Sequence, residues 1–553
     1  MSAVTELADE FVEALFKAEP WRPSIYGLPG AHDLLPDLSA EAEELRREDL
    51  LDFAARAEAI ERDGLSAQDV VTRDVVIQQA KAAVDLIDAR TVEFVYSDGL
   101  ASAALKLLVG LPVVTLNDEE KVNGYLSRLA ALPSYLDTLI SRHRGGLAAG
   151  LVPPEFLVDA GIAYLDRYLA DAEGDPLRMA SAVDVEGYEQ ERDRLLAEVV
   201  RPAYQRYRDF LAEEVKPRGL PPEKPGLCWL PGGEDKYAAL IRVHTTTERS
   251  ARELHGIGLE LIEKLADEYR ELGSRVFGTK ELPEIFERLR TDPALRWRDG
   301  EELLETARAT ITRAESRAPQ WFSTVPEQNC EVRAVPEAEA TGGTIAYYFE
   351  PAFDGSRPGI YFANTYDAHK RPRHAGEAIA FHEAVPGHHF QLSTALGLTE
   401  LPLLRRIADI TAYIEGWGLY AERLADEMGL YSDDVAKFGM LTQDSMRAGR
   451  LVVDTGLHSL GWSRQRAVDY LRDNTPMAAL EIEAEIDRYS ANPGQALSYM
   501  VGRLEIERVR AEAEAALGDR FDIRAFHDVV LGSGNLPLPV LANVVRDWVS
   551  GLR

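Results

Sequence analysis

The chain has 553 residues, of which 46% are hydrophobic and 28% charged, the balance of an ordinary globular protein. Its 93 acidic and 61 basic residues give a formal net charge of -32, which argues against a nucleic acid or an anionic membrane as partner. Two cysteines, Cys228 and Cys330, are too few for a disulfide framework and favour a reducing compartment.

The first ten residues carry Glu6, Asp9 and Glu10, where a secretory signal needs basic residues. No apolar run in the sequence approaches membrane-spanning length. We therefore expect a cytoplasmic protein with no membrane partner. The sequence carries no indication of the oligomeric state.

From the start to about residue 215, apolar residues recur at three- and four-residue spacing, which predicts helices throughout. Ser39, Ser66 and Asn117 each precede an acid-rich stretch and are predicted N-caps. The run from Tyr188 to Glu214 reads as one long amphipathic helix.

Residues 217–233 are rich in proline and glycine and indicate a junction. We predict an N-terminal helical subdomain over 1–225 and a metal-site subdomain over 226–553, with the catalytic helices within 376–510. Together they would form one continuous unit around a deep cleft.

Short β-branched and aromatic segments separated by turn residues lie between about 328 and 365. They predict a small sheet. The expected fold class is therefore mainly α, with a small β-sheet beside the helix that carries the metal site.

A histidine cluster follows the predicted sheet. The protein has 11 histidines, yet His382, His388 and His389 fall within eight residues, and Glu383 stands beside the first. In the zinc pattern H-E-x-x-H two histidines one helical turn apart bind the ion. Here the position four after His382 is Pro386, so the helix must break or bulge.

If Pro386 and Gly387 are looped out, His388 falls where the second zinc ligand belongs, and His389 points elsewhere, into the surroundings of the ligands. The alternative is a helix end stopped by Pro-Gly, with histidines that satisfy backbone carbonyls.

Two acids lie on a later predicted helix among apolar and aromatic neighbours. Glu415, 27 residues past His388, is the predicted third ligand. Glu422, seven residues on and on the same face, is either an acid that orients a ligand or an ordinary salt-bridge partner.

Arg447, Arg450, Asp454 and His458 follow at three- and four-residue steps, so one helix face would carry all four. Such a polar row in an apolar run indicates a buried network that orients the metal ligands. A purely structural ion-pair network explains it equally well.

Tyr499 and Arg503 lie one helical turn apart after a Pro-Gly turn. A phenol can donate a hydrogen bond to a developing oxyanion, and an arginine can bind a peptide carboxylate. Arg447, Arg450 and Arg503 are all candidates for such a carboxylate clamp, and each can equally be structural.

Three motifs together resemble the bacterial domain-of-unknown-function family 885. They are His-Glu-x-x-Pro-Gly-His-His at 382–389, Glu-Gly-Trp-x-Leu-Tyr-x-Glu at 415–422 and Pro-Gly-Gln-Ala-x-x-Tyr at 493–499. The segments from Arg357 to Asn364 and from Asp454 to His458 are similar to that family as well. The resemblance covers nearly the whole chain.

The resemblance implies a mostly helical, gluzincin-like zinc metallopeptidase, similar to thimet oligopeptidase, angiotensin-converting enzyme and carboxypeptidase Taq. It implies His382, His388 and Glu415 as ligands of one Zn²⁺, with Glu383 as general base. Those peptidases lack the Pro-Gly insertion, so the second imidazole ligand is His388 or, alternatively, His389.

The resemblance further gives Tyr499 the role of the phenol that stabilises the oxyanion, with Tyr489 as the second choice. His458 is expected to assist Tyr499. Asn364, Tyr489 and Arg503 are expected to bind substrate.

The predicted function is zinc-dependent hydrolysis of short peptides by a metal-activated water. The alternatives are a metal-dependent amidase acting on a non-peptide amide and a non-catalytic helical binding protein. In the latter, His389 would complete a closed, structural metal site.

Overall fold

The computed structural model describes residues 2–99, 101–336, 340 and 345–552, and most of these residues are helical. The mainly α class with a small sheet is therefore confirmed. No helix in this part of the chain is long and apolar enough to cross a membrane.

In chain order, the α-helices of the described residues are α1 Ala3–Ala18, α2 Arg22–Tyr26, α3 Ala40–Ala59, α4 Ala67–Asp88, α5 Lys106–Gly110, α6 Glu119–Ala148, α7 Glu155–Ala170, α8 Tyr188–Leu195, α9 Arg201–Phe210, α10 Gly233–Thr245, α11 Ala251–Val276, α12 Leu282–Thr291, α13 Gly300–Arg317, α14 Gly376–Glu383, α15 His388–Gly397, α16 Leu403–Ile407, α17 Thr411–Glu427, α18 Asp434–His458, α19 Arg464–Asn474, α20 Ala479–Ala491, α21 Ser498–Leu517, α22 Ile523–Leu531 and α23 Leu538–Leu552.

Two of the three predicted N-caps are confirmed. The hydroxyls of Ser39 and Ser66 accept hydrogen bonds from backbone N–H groups in the first turns of α3 and α4. The third prediction, Asn117, is wrong by one residue. The carboxylate of Asp118, whose backbone is extended, accepts from the N–H of Lys121 at 2.8 Å, so α6 begins at Glu119.

The predicted long helix from Tyr188 is also observed. The chain is helical from α8 through α9 to Val215, with two π-helical turns at Leu196–Val200 and Leu211–Val215. These turns widen the helix locally without ending it.

The hydrophobic residues form two large cores. One contains apolar side chains from 96–215 alone. The other joins α1, α3 and α4 to the chain from 227 onward. The guanidinium of the buried Arg405 on α16 links these parts, because it donates to Thr72 on α4 at 3.1 Å and to the carbonyl of Ser533. Helices α1, α3 and α4 thus pack with the second half of the chain, and the core formed by 96–215 lies within the predicted N-terminal subdomain.

The predicted sheet is present with three strands, β1 Cys330–Ala334, β2 Ala346–Phe349 and β3 Gly359–Ala363. Strand β3 is central, parallel to β1 and antiparallel to β2. Tyr361 on β3 lies opposite Val332 on one side and Tyr348 on the other. The sheet is followed directly by α14 and α15, which carry the histidine cluster.

Helix α18 lies at the centre of the second core, and every residue from Phe438 to His458 is buried. Helices α17 and α21 pack against each other at a glycine contact. A Cβ atom at Gly502 would lie 1.8 Å from the carbonyl oxygen of Ala412, so only glycine permits this approach. The contact brings Glu415 on α17 and Tyr499 on α21 to the same region.

Candidate metal centre

Three predicted metal ligands converge in the structure. The Nε2 atoms of His382 and His388 each lie 3.3 Å from the same carboxylate oxygen of Glu415. One donor atom from each residue falls within 4.8 Å of the other two. Two imidazoles and a carboxylate are a donor set that can hold a metal ion and that occurs in catalytic zinc sites.

The break between α14 and α15 places His388. Helix α14 ends at Glu383, residues 384–387 are non-helical, and α15 begins at His388. A Cβ atom at Gly387 would lie 1.9 Å from the carbonyl oxygen of His382, so the connection folds back on the end of α14. The rings of His382 and His388 consequently approach to 4.6 Å between centroids.

Trp417 fixes this connection and was assigned no role from the sequence. Its indole N–H donates to the carbonyl of Pro386 at 2.8 Å, and the ring is fully buried. The signal in the sequence is the position of Trp417, two residues after Glu415 on the same helix. The residue therefore ties the helix of the third ligand to the turn before the second ligand.

His389 is directed away from the cluster. Its Nε2 donates to the carbonyl of Gln328 at 2.9 Å, and its Nδ1 accepts from the hydroxyl of Tyr348 at 2.8 Å. The residue braces α15 against β2. Of the two adjacent histidines, His388 is the one that the structure brings to His382 and Glu415.

Glu422 orients the first ligand. Its buried carboxylate accepts from Nδ1 of His382 at 2.8 Å, which leaves Nε2 of the same ring to face Glu415. Burial opposes the charged imidazole, but the hydrogen bonds to Glu415 and Glu422 outweigh it and raise the pKa of His382 to about 9. Burial likewise opposes the charged Glu415, yet the two imidazoles hold its pKa well below its usual range. The carboxylates thus stay negatively charged and stabilise positive charge on the imidazoles beside them.

We expect Glu422→Gln to bind zinc about 10-fold more weakly, because the amide removes the negative charge that increases the basicity of His382. Competition with a chromogenic chelator measures the affinity. Glu427→Gln, an exposed change on the same helix, is the control and should bind zinc as the wild type does. Unchanged affinity in Glu422→Gln would exclude the orienting role.

Glu383 stands beside the ligands with a half-buried carboxylate. The structure gives this carboxylate no hydrogen bond to any described residue. Burial raises its pKa, Glu415 adds to the rise, and the charged forms of His382 and His388 oppose it. An acid whose pKa is moved toward neutrality, and whose oxygens are free, is suited to accept and return a proton.

The ring of Tyr499 packs beside the ring of His382. The two rings are nearly parallel, with centroids 6.4 Å apart. The guanidinium carbons of Arg450 and Arg447 lie 4.4 Å and 5.6 Å from the centroid of the phenol ring. Burial and the charge of Glu415 raise the pKa of Tyr499, so its hydroxyl stays protonated and able to donate.

Tyr489 does not face the cluster. Its buried hydroxyl accepts from Nε of Arg450 at 2.7 Å and donates to Glu485, which also pairs with Arg450 at 2.8 Å. The hydroxyl is therefore committed to an ion network, and the expectation that Tyr489 binds substrate is corrected. Arg450 keeps its predicted supporting role, because this network holds it against Tyr499.

Asp454 and His458 serve the packing of α18. Asp454 accepts from the hydroxyl of Tyr237 at 2.5 Å and from the N–H of Gly494 at 3.1 Å, and burial raises its pKa to about 7. Nδ1 of His458 accepts from the N–H of Leu227 at 3.1 Å, and Nε2 donates to the carbonyl of Tyr489 at 3.0 Å.

His458 thus has no free ring nitrogen to offer to a substrate, and burial lowers its pKa to about 4. The expectations that His458 assists catalysis and that Asp454 orients a ligand are corrected. For these two residues the structural interpretation of the polar row holds.

The two remaining predicted substrate contacts are also occupied. The amide of Asn364 donates to the carbonyl of Ala340 at 2.8 Å and accepts from the N–H of Tyr366 at 2.9 Å, which closes the turn after β3. The guanidinium of the buried Arg503 pairs with Asp444. Arg503 is held in this ion pair, whereas Asn364 also lines a cavity together with Ile379 and Gln443.

Known proteins were compared with the sequence and the fold. A predicted lipoprotein from Colwellia psychrerythraea is 28% identical, with 99% of each chain covered and a TM-score of 0.90. A predicted lipoprotein of unknown function from Shewanella oneidensis shares the fold at 16% identity, with a TM-score of 0.75 over 98% of this chain and 99% of the other. No curated protein matches the chain significantly. The profile of a bacterial family of unknown function, DUF885, matches residues 20–545, and the chain therefore belongs to that family.

Proposed function

We propose that the protein is a zinc-dependent peptidase that hydrolyses short peptides. The supporting observation is the convergence of His382, His388 and Glu415, a group that includes no fourth His, Cys, Asp or Glu among the described residues. Three protein ligands and one open position are typical of catalytic zinc, whereas structural sites are closed by four protein ligands. The resemblance to gluzincin peptidases supports the same assignment.

When bound, zinc would act as a Lewis acid on the scissile carbonyl and lower the pKa of the attacking water. Glu383 accepts the proton of that water and returns it to the leaving nitrogen, since its carboxylate is free and its pKa is raised. The hydroxyl of Tyr499 donates to the oxyanion that develops on the carbonyl oxygen. Glu422 keeps the ring of His382 in the orientation and tautomer that presents Nε2.

The position of His389 disfavours the binding-protein alternative. That alternative requires His389 to close the coordination, but both of its ring nitrogens are bonded elsewhere. No observation favours an amidase acting on non-peptide amides. A deep cleft between two helical halves, a cytoplasmic location and a short-peptide substrate stay predictions for this chain.

Zinc content tests the proposal most directly. Protein purified without chelator or immobilised-metal resin is expected to carry about one zinc per chain, and His382→Ala and Glu415→Ala should lose it. His389→Ala, next to the second ligand in sequence, is the matched control and should keep the zinc. Wild-type protein without bound metal, even after addition of zinc, would overturn the proposal.

A library of dipeptides and short peptides then separates peptidase from amidase. Cleavage by the zinc-loaded wild type supports the peptidase. Zinc at full occupancy without cleavage of any peptide would favour the amidase.

A further inference from the structure

Arg447 on α18 is a buried arginine without an acidic partner among the described residues. Its side chain is 7% exposed, and its hydrogen bond is to the amide oxygen of Gln443. Its Nε atom is buried without a partner, and no carboxylate of a described residue lies within 4.0 Å. Buried arginines are rarely left unpaired, because removing an uncompensated charge from water is costly.

The other two candidates for a carboxylate clamp differ in this respect. Arg450 pairs with Glu485, and Arg503 pairs with Asp444. Among the three, only Arg447 retains a charge that an anion from outside the chain could neutralise.

Arg447 also lies beside the catalytic groups. Its guanidinium carbon is 5.6 Å from the ring centroid of Tyr499. An anion held by Arg447 would therefore lie close to the phenol that is proposed to stabilise the oxyanion.

A cavity with a mainly apolar lining lies next to the hydrogen-bond partner of Arg447. Gln443, the hydrogen-bond partner of Arg447, lines it, and so does Ile379, one helical turn before Glu383. Its two charged lining residues have other partners: Arg371 donates to the carbonyl of Tyr366 at 2.8 Å, and Glu481 accepts from the N–H of Ala478 at 3.4 Å. Its mainly apolar lining suits an apolar side chain.

We propose that Arg447 binds the free α-carboxylate of a peptide substrate and that the adjacent cavity receives the side chain of its last residue. The enzyme is then a carboxypeptidase for short peptides that end in an apolar residue. This assignment rests on the proposed peptidase function and adds the end of the substrate that is recognised.

Calorimetric titration of the zinc-loaded full-length protein tests this assignment without requiring turnover. The probes are N-acetylphenylalanine, its C-terminal amide and N-acetylglycine. Wild type should bind the phenylalanine acid about 100-fold more tightly than the amide, because the amide cannot pair with a buried guanidinium. It should bind the glycine acid about 10-fold more weakly than the phenylalanine acid, because the cavity stays empty.

Arg447→Gln should lose the preference for acid over amide, and Arg447→Lys, which keeps the charge, should retain part of it. Arg503→Lys is the matched control, a charge-preserving change at a buried arginine already paired with Asp444, and should retain all of it.

Equal binding of acid and amide by wild type, or no binding of the acid, overturns the carboxylate site. Equal binding of the phenylalanine and glycine acids overturns the role of the cavity. Failure of the peptidase proposal is seen separately, in zinc content and peptide cleavage.

Discussion

Glu383→Gln is expected to keep its zinc and to hydrolyse peptides about 1,000-fold more slowly than the wild type. The amide has the same shape as the carboxylate but cannot accept the proton of the attacking water, and such a base typically accounts for a factor of about 100 to 10,000 in rate. Zinc should be retained because Glu383 is not among the three converging donors. Zinc content and kcat on one cleaved peptide measure the two effects.

The exposed Glu427→Gln serves as the control for the same chemical change and should leave kcat unaltered. Wild-type turnover in Glu383→Gln would exclude Glu383 as the base. Loss of zinc in that variant would instead make Glu383 a ligand, which would contradict the donor set described above.

Stability is expected to fall steeply between about pH 6 and pH 4.5. Burial lowers the pKa of His143, His374 and His527 to about 3 and that of His458 to about 4. These histidines are neutral in the folded protein but gain a proton on unfolding below the ordinary value of about 6.5. Their contribution is complete above that pH and decreases as the pH falls toward the folded values.

Each such histidine changes the free energy of unfolding by about 1.4 kcal/mol per pH unit. Asp454 has the opposite sign, because burial raises its pKa to about 7 and the folded state therefore binds the proton more tightly. The contributions of the histidines outweigh that of Asp454, so the free energy of unfolding decreases as the pH falls. Urea midpoints of chelator-treated protein at pH 7, 6 and 5 measure it. Midpoints that do not change over this range would show that the four imidazoles are not buried as neutral groups.

The convergence of the candidate metal-binding residues could be predicted from the sequence because most of them lie close together in the chain. His382, Glu383 and His388 are separated by one short connection, and a proline four residues after the first histidine permits few arrangements. Glu415 was identifiable as an acid among apolar neighbours. The small sheet and the helical class likewise follow from periodicity.

The partners of the polar residues on α18 could not be predicted in the same way. His458 bonds to Leu227, 231 residues away in the chain, and to the carbonyl of Tyr489. Helix α18 is buried on all sides, so no exposed face shows which side of the helix points toward the candidate metal centre. The regular spacing of Arg447, Arg450, Asp454 and His458 therefore does not indicate which of these residues lies near that centre. The difference between Arg447 and the other three residues follows from the positions of the neighbouring helices, which the sequence does not give.

The break between α14 and α15 has a consequence for how such centres are found in other sequences. Because His382 and His388 lie on two different helices, the angle between their rings, 81°, is set by the intervening turn and is independent of the 3.6-residue repeat. Pattern searches that require two histidines four positions apart pass over this arrangement. A search that allows five residues between them, with Pro-Gly directly before the second and an acid about 27 residues later, would collect candidates that share the donor geometry without sharing the usual motif.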